Sequence, residues 1–134
     1  MKANELMIGD WVLTLDSTHK EKVFAQVDAI EEGKHSILVT KECSNWFVDI
    51  DWIEPIPLTP EILEKNGFVK VENTLTSTII YSFRDSLFRI GVFDFSHITM
   101  DSYYTDSSCD IFISSVHQLQ HALRLCGIEK EIIL

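Results

Sequence analysis

Cysteine, proline, glycine and positive charge are all scarce in this 134-residue chain, and each shortage closes off a class of protein. The three cysteines, Cys43, Cys109 and Cys126, are odd in number, widely spaced and free of any Cys-x-x-Cys pair, so neither a disulfide framework nor a zinc knuckle is encoded. Free thiols in a reducing cytosol are expected. The five glycines, Gly9, Gly33, Gly67, Gly91 and Gly127, lie far apart, and none belongs to a loop that cradles phosphate. Eleven Lys and Arg face 21 Asp and Glu, a formal charge of −10, which argues against direct nucleic-acid binding and against anionic membrane surfaces. No eighteen apolar residues run together, and Met1 to Asp10 contain no apolar signal core, so neither a membrane-spanning helix nor secretion is expected. Repeats and low-complexity tracts are missing too, which removes solenoids and flexible linkers.

What remains is the composition of a soluble globular protein, 46% hydrophobic and 24% charged. A chain of this size buries roughly two-thirds of its unfolded surface, enough for a true core. The first 57 residues read as short strands at Ile8 to Leu15, Lys22 to Ile30, Ser36 to Lys41 and Trp46 to Ile53, parted by polar turns. In the fourth, Trp46, Val48, Ile50 and Trp52 share one face, while Phe47, Asp49 and Asp51 share the other, which predicts a core side and a wet side. Four short antiparallel strands at this spacing point to an SH3-like small β-barrel over residues 1–57. All three prolines fall within Pro55 to Pro60, and Glu54-Pro55-Ile56-Pro57 can continue neither a helix nor a central strand, so the boundary is placed there.

Residues 58–134 read as an α+β domain. Thr59 is a good N-cap, Pro60 suits the first helical position, and Gly67-Phe68 makes a Schellman-type stop, so a helix is predicted over 60–66. Strands follow at Thr76 to Phe83 and Leu87 to Phe95, joined through Arg84-Asp85-Ser86, then at Ile98 to Tyr104 and Asp110 to Ser114. A capping box of Ser115 and Gln118 opens a second helix whose stripe is Val116, Leu119, Leu123 and Cys126, ended by Gly127. With a last strand in Glu129 to Leu134, the predicted order is α-β-β-β-β-α-β, an antiparallel sheet with helices on one face.

Few residues here promise chemistry. His117 and His121, four apart on a helix, place two imidazoles on one side, as a metal site or proton relay requires; the plainer reading is a solvated face opposite the apolar stripe. Asp49, Asp51 and Glu54 could gather around a divalent cation, although a wet strand face has the same spacing. No Gly-x-Ser-x-Gly turn exposes a serine nucleophile, and Asp110 beside Cys109 works against an activated thiol. No cofactor is expected. For binding, Trp11, Tyr103, Tyr104, Asp49 and Asp51 are the candidate interaction surface, because aromatic rings at loops and strand ends commonly serve recognition; Trp46 and Trp52 are assigned to the core.

Two ends and a middle segment carry a resemblance: Ala3-Asn4-Glu5-Leu6-Met7-Ile8-Gly9-Asp10-Trp11-Val12, then Ile56-Pro57-Leu58-Thr59-Pro60-Glu61-Ile62-Leu63 with Gly67-Phe68, and Val116-His117-Gln118-Leu119-Gln120. Together they resemble a group of small uncharacterised proteins from gut bacteria and their phages or mobile elements. The chain departs from that pattern at Asp10, His121 and Cys126. The resemblance implies a cytoplasmic protein and no particular activity. The leading expectation is a non-catalytic binding or accessory module whose partner is a protein or peptide. Two alternatives stand beside it: an acidic interference protein that mimics nucleic-acid charge, and a metal-dependent enzyme using His117 and His121. Against mimicry, the acids are spread evenly, 11 against 5 basic residues in the first 57 and 10 against 6 in the rest.

Overall fold

The computed structural model describes residues 1–31, 33–72, 79–83, 88–94, 97–102 and 111–134. The chain divides into two compact units, Met1–Ile56 and Pro57–Leu134, and is mixed α+β with two antiparallel sheets.

In the first unit the strands β1 (Trp11–Leu15), β2 (Lys22–Ile30), β3 (Ser36–Lys41) and β4 (Ser44–Asp49) pair in chain order. Alternation decides what each contributes. Val12, Ala25, Val27, Ile37, Val39 and Val48 point inward and join Leu6, Ile50 and Ile53 in one buried apolar cluster, with Trp46 packed against it. A register shift between Val27 and Ala29 lets β2 change its facing, so that Ala29 lies opposite Leu38 while Val27 lies opposite Val39. Gly9 takes φ +87°, a conformation costly for any residue with a Cβ, and its N–H reaches the Val27 carbonyl at 2.7 Å. The buried Asp10 closes this entry by accepting the Met7 N–H at 2.7 Å.

The sheet is open, not a closed ring. After β4 the chain forms a 3-10 turn, Ile50–Trp52, and then returns to the β1 edge at an isolated bridge between Leu13 and Glu54. That turn corrects the long fourth strand read from the sequence. Asp49 accepts the Asp51 N–H at 2.9 Å, a cap that starts the turn and ends the two-residue alternation. Beyond Asp49 the predicted parity therefore fails: Ile50 is buried as expected, but Trp52 is 46% exposed, its ring edge-on to His19 at 5.1 Å. Trp46, by contrast, turns its indole N–H to the Leu15 carbonyl at 3.0 Å.

In the second unit α1 (Pro60–Lys65) is built from the signals its sequence shows. The Thr59 hydroxyl accepts the Ile62 N–H, Pro60 opens the helix, and the stop has Schellman geometry, with Phe68 N–H on the Leu63 carbonyl and Gly67 N–H on that of Glu64, both 3.0 Å. The Glu61 carboxylate accepts its own backbone N–H and bonds the Thr59 hydroxyl, which lowers its pKa from the ordinary value. Among the described residues five strands follow, β5 (Val69–Glu72), β6 (Ile79–Phe83), β7 (Phe88–Asp94), β8 (His97–Ser102) and β9 (Ile111–Phe112), each antiparallel to its chain neighbour. Helix α2 (Val116–Leu125) ends at Gly127, where φ is +69° and the same Schellman pair of bonds recurs. Buried side chains from Leu63, Phe68, Tyr81, Phe83, Ile90, Ile113, Val116, Leu119 and Leu123 form the apolar interior.

The observed order, α-β-β-β-β-β-α, corrects the predicted α-β-β-β-β-α-β at both ends of the sheet. Val69–Glu72 is an additional strand, pairing Val71 with Ile80. The tail is not a strand. The buried Asn66 amide takes its backbone instead: Oδ1 accepts the Ile133 N–H, and Nδ2 donates to the carbonyls of Ile133 and Ile62, all at 2.8 Å. Ile132 is buried beside this clamp, and Lys65 donates to the main-chain oxygen of Leu134.

Candidate functional site

The hairpin of β3 and β4 determines which charged side chains meet. Lys41 pairs with Ser44 across a two-residue turn, and the register runs back to Ser36 opposite Asp49. One step further, the Ile50 N–H donates to the His35 carbonyl at 2.9 Å, so His35 stands at the end of the ladder beside the 3-10 turn. Its imidazole Nε2 lies 3.4 Å from Asp51 Oδ2 and 3.9 Å from Asp49 Oδ1. Glu54, the third acid grouped with these two in the sequence, is engaged elsewhere, with Lys22 Nζ 2.6 Å from its carboxylate. The cluster is thus His35, Asp49 and Asp51. All three are exposed to solvent.

On the outward face of the same sheet, alternation aligns Trp11, Leu13 and Leu15 of β1 with Phe24 and Gln26 of β2, Leu38 and Thr40 of β3, and Phe47 and Asp49 of β4. Phe24 is 45% exposed and Phe47 54%, while Trp11 is half-buried. This side of the sheet is more apolar than the wet face expected for it.

His117 and His121 are adjacent on α2, with ring centroids 5.8 Å apart, but His117 is not on a solvated face. It is buried, and its Nδ1 shares a 3.0 Å hydrogen bond with the hydroxyl of buried Ser115. A hydroxyl so engaged is withdrawn from capping, and the expected Ser115 and Gln118 box is correspondingly rearranged. Gln118 Oε1 instead accepts the Ser114 N–H at 2.8 Å. Ser115 and His117 are thus bonded to each other at the start of α2, both buried, while His121 is half-buried.

Tyr103, Tyr104 and Cys109 lie outside the described residues. Cys43 in the β3–β4 turn is a free, exposed thiol, and Cys126 is a free, half-buried one. No described helix is long and apolar enough to cross a membrane. Sequence reasoning passed over His35, because the residue stands before its strand and meets the aspartates only through hairpin register. The signal that could have found it is the two-residue turn Glu42-Cys43, which once located pairs residue 35 with residue 50. Compared with family models, with curated proteins and with solved structures, the chain matches none.

Proposed function

We propose that this chain is a non-catalytic binding module of the cytoplasm that holds a protein or peptide segment against the outward face of its first sheet. The observation that carries the reading is that face itself, where Phe24 of β2 and Phe47 of β4 remain about half exposed, with half-buried Trp11 of β1 and Asp49 of β4 on the same side. Exposed aromatic side chains with a carboxylate, Asp49, at one end of the face suit a segment with apolar side chains and a Lys or Arg at that end. We read the first unit as an SH3-like small barrel. Supporting this are the meander order of its strands, the 3-10 turn after β4, the return of Glu54 onto β1, and the Trp46 indole reaching from β4 to the end of β1. The exposed thiol of Cys43 supports a reducing compartment. The resemblance to small proteins of gut bacteria and their phages supports an accessory role for a mobile element.

The test is a peptide-display selection against the whole chain, with the winners measured on variants. Selected peptides should be rich in apolar and basic residues and should lose about tenfold or more in affinity on Phe47→Ser or Phe24→Ser. Both side chains are exposed, so the variants should keep the wild-type circular dichroism. Peptides that bind both variants as well as the wild type would refute the outward face as the site.

A further inference from the structure

We infer that His35, Asp49 and Asp51 form a binding site for a first-row divalent transition ion, Zn²⁺ in the first instance, bridging the β3–β4 hairpin to the 3-10 turn. One ligand atom from each residue lies within 4.8 Å of the other two. Donors about 2.1 Å from one ion stand roughly 3 to 3.5 Å apart, so small rotations of these exposed side chains bring all three to ligating distance. The charge balance favours an ion there. Lys34, next to His35 in sequence, is paired with Glu31, and Lys22 with Glu54. Asp49 and Asp51, among the described residues, meet no Lys or Arg, and the single imidazole of His35 faces both carboxylates. That leaves two uncompensated negative groups converging on one nitrogen donor, a combination that a divalent cation satisfies and an imidazole alone does not.

The donor chemistry selects the ion. One imidazole nitrogen with two carboxylates is a borderline set that suits Zn²⁺, Co²⁺ or Ni²⁺, whereas Ca²⁺ takes six to eight oxygens and Mg²⁺ holds its own waters. The backbone beneath the donors is fixed independently of the metal. The Ile50 N–H sits on the His35 carbonyl, Asp49 is paired with Ser36 in the ladder, and the Asp51 N–H sits on Asp49 Oδ1. Three protein ligands on an exposed turn leave the remaining positions to water, so the ion would act as a clasp between two segments.

The experiment is titration of the chelator-stripped whole chain with ZnCl₂, CaCl₂ and MgCl₂, followed by calorimetry, by fluorescence of the adjacent Trp52 and by thermal melting. Zn²⁺ should bind at one site that Ca²⁺ and Mg²⁺ do not fill at equal concentration, and should raise Tm as mass action requires. His35→Ala and Asp51→Asn should each weaken that site at least about tenfold, with unchanged circular dichroism in the absence of metal. Cys43→Ser and His121→Ala serve as controls and should leave the site intact. Zn²⁺ binding that survives His35→Ala and Asp51→Asn, that disappears with Cys43→Ser or His121→Ala, or that never saturates in the wild type would overturn the assignment. Peptide binding in excess chelator separates this outcome from that of the docking face.

Discussion

Thr14 and Asp16 lie two residues apart at the end of β1, and their polar atoms are treated in opposite ways. Thr14 is 1% exposed, and its hydroxyl has no hydrogen-bond partner among the described residues. A buried hydroxyl without a partner forfeits its hydration with no return, a cost of about 1 to 3 kcal/mol. Thr14→Val keeps the shape and removes that cost, so urea denaturation should show a gain of about 1 kcal/mol. A loss of that size would mean that the hydroxyl is satisfied. Asp16, by contrast, is over-supplied. Its carboxylate accepts the Lys20 N–H at 2.9 Å and the Thr18 hydroxyl at 2.8 Å, with a longer contact to the Glu21 N–H, and these donors lower its pKa from the ordinary value. The sign follows from linkage: a folded value below the unfolded one, about 3.9, contributes stability above that pH and loses it as pH falls through the folded value. A carboxyl-detected NMR titration should place the Asp16 midpoint below about 3.9, and Thr18→Ala should move it upward by removing one donor. A wild-type midpoint at or above that value would contradict the hydrogen bonding.

At the scale of elements, what the sequence discloses depends on how local the signal is. The bounds of β2 and β3, and the cap, first turn and stop of α1, were readable because each rests on alternation or on residues within one turn of one another. His35 beside the aspartates was not, since it needs the register of a hairpin whose turn was not located. His117 was assigned to solvent because the stripe was traced by apolar residues alone, and an imidazole that has a hydroxyl partner can be buried with them. The last strand was misjudged for a related reason. Ile-Ile-Leu at positions 132 to 134 signals burial, which Ile132 shows, but burial does not specify a ladder when a side chain supplies the backbone partners. Asn66 makes two such bonds to Ile133, and a third to the Ile62 carbonyl of its own helix, from a nearly sealed position. Asn66→Ala leaves the Ile133 N–H and the Ile133 carbonyl without their partner, while the Ile62 carbonyl keeps the backbone N–H of residue 66, and should cost about 2 to 3 kcal/mol. Hydrogen exchange of the Ile133 amide is the specific readout, and its protection should fall much further in Asn66→Ala than that of amides in β1 to β4. Equal protection in variant and wild type would mean that the tail is held by Ile132 alone.

At the scale of the whole molecule the governing quantity is the charge of −10, of which the first 57 residues carry −6 and the rest −4. Of the 21 acids, Glu54 and Glu31 are paired with Lys22 and Lys34 in exposed ion pairs, each contributing at most about 1 kcal/mol. Ten charges remain uncompensated, and a folded chain holds them closer together than an unfolded one, so their mutual repulsion opposes folding. Screening weakens that repulsion over a Debye length of about 10 Å at 0.1 M salt. It weakens these two exposed ion pairs as well, but each is small beside a net excess of ten negative charges. Raising NaCl from about 10 to 200 mM at pH 7 should therefore increase Tm by a few degrees, the shift expected for a gain of about 1 kcal/mol in a chain of this length. A melting series in chelator, so that no divalent ion contributes, isolates the effect. The same series should give a smaller response as the pH approaches the sequence pI of about 4.8, where the net charge vanishes. A Tm that falls with salt at pH 7 would show that specific ion pairs, not the net excess, dominate the electrostatics of this fold.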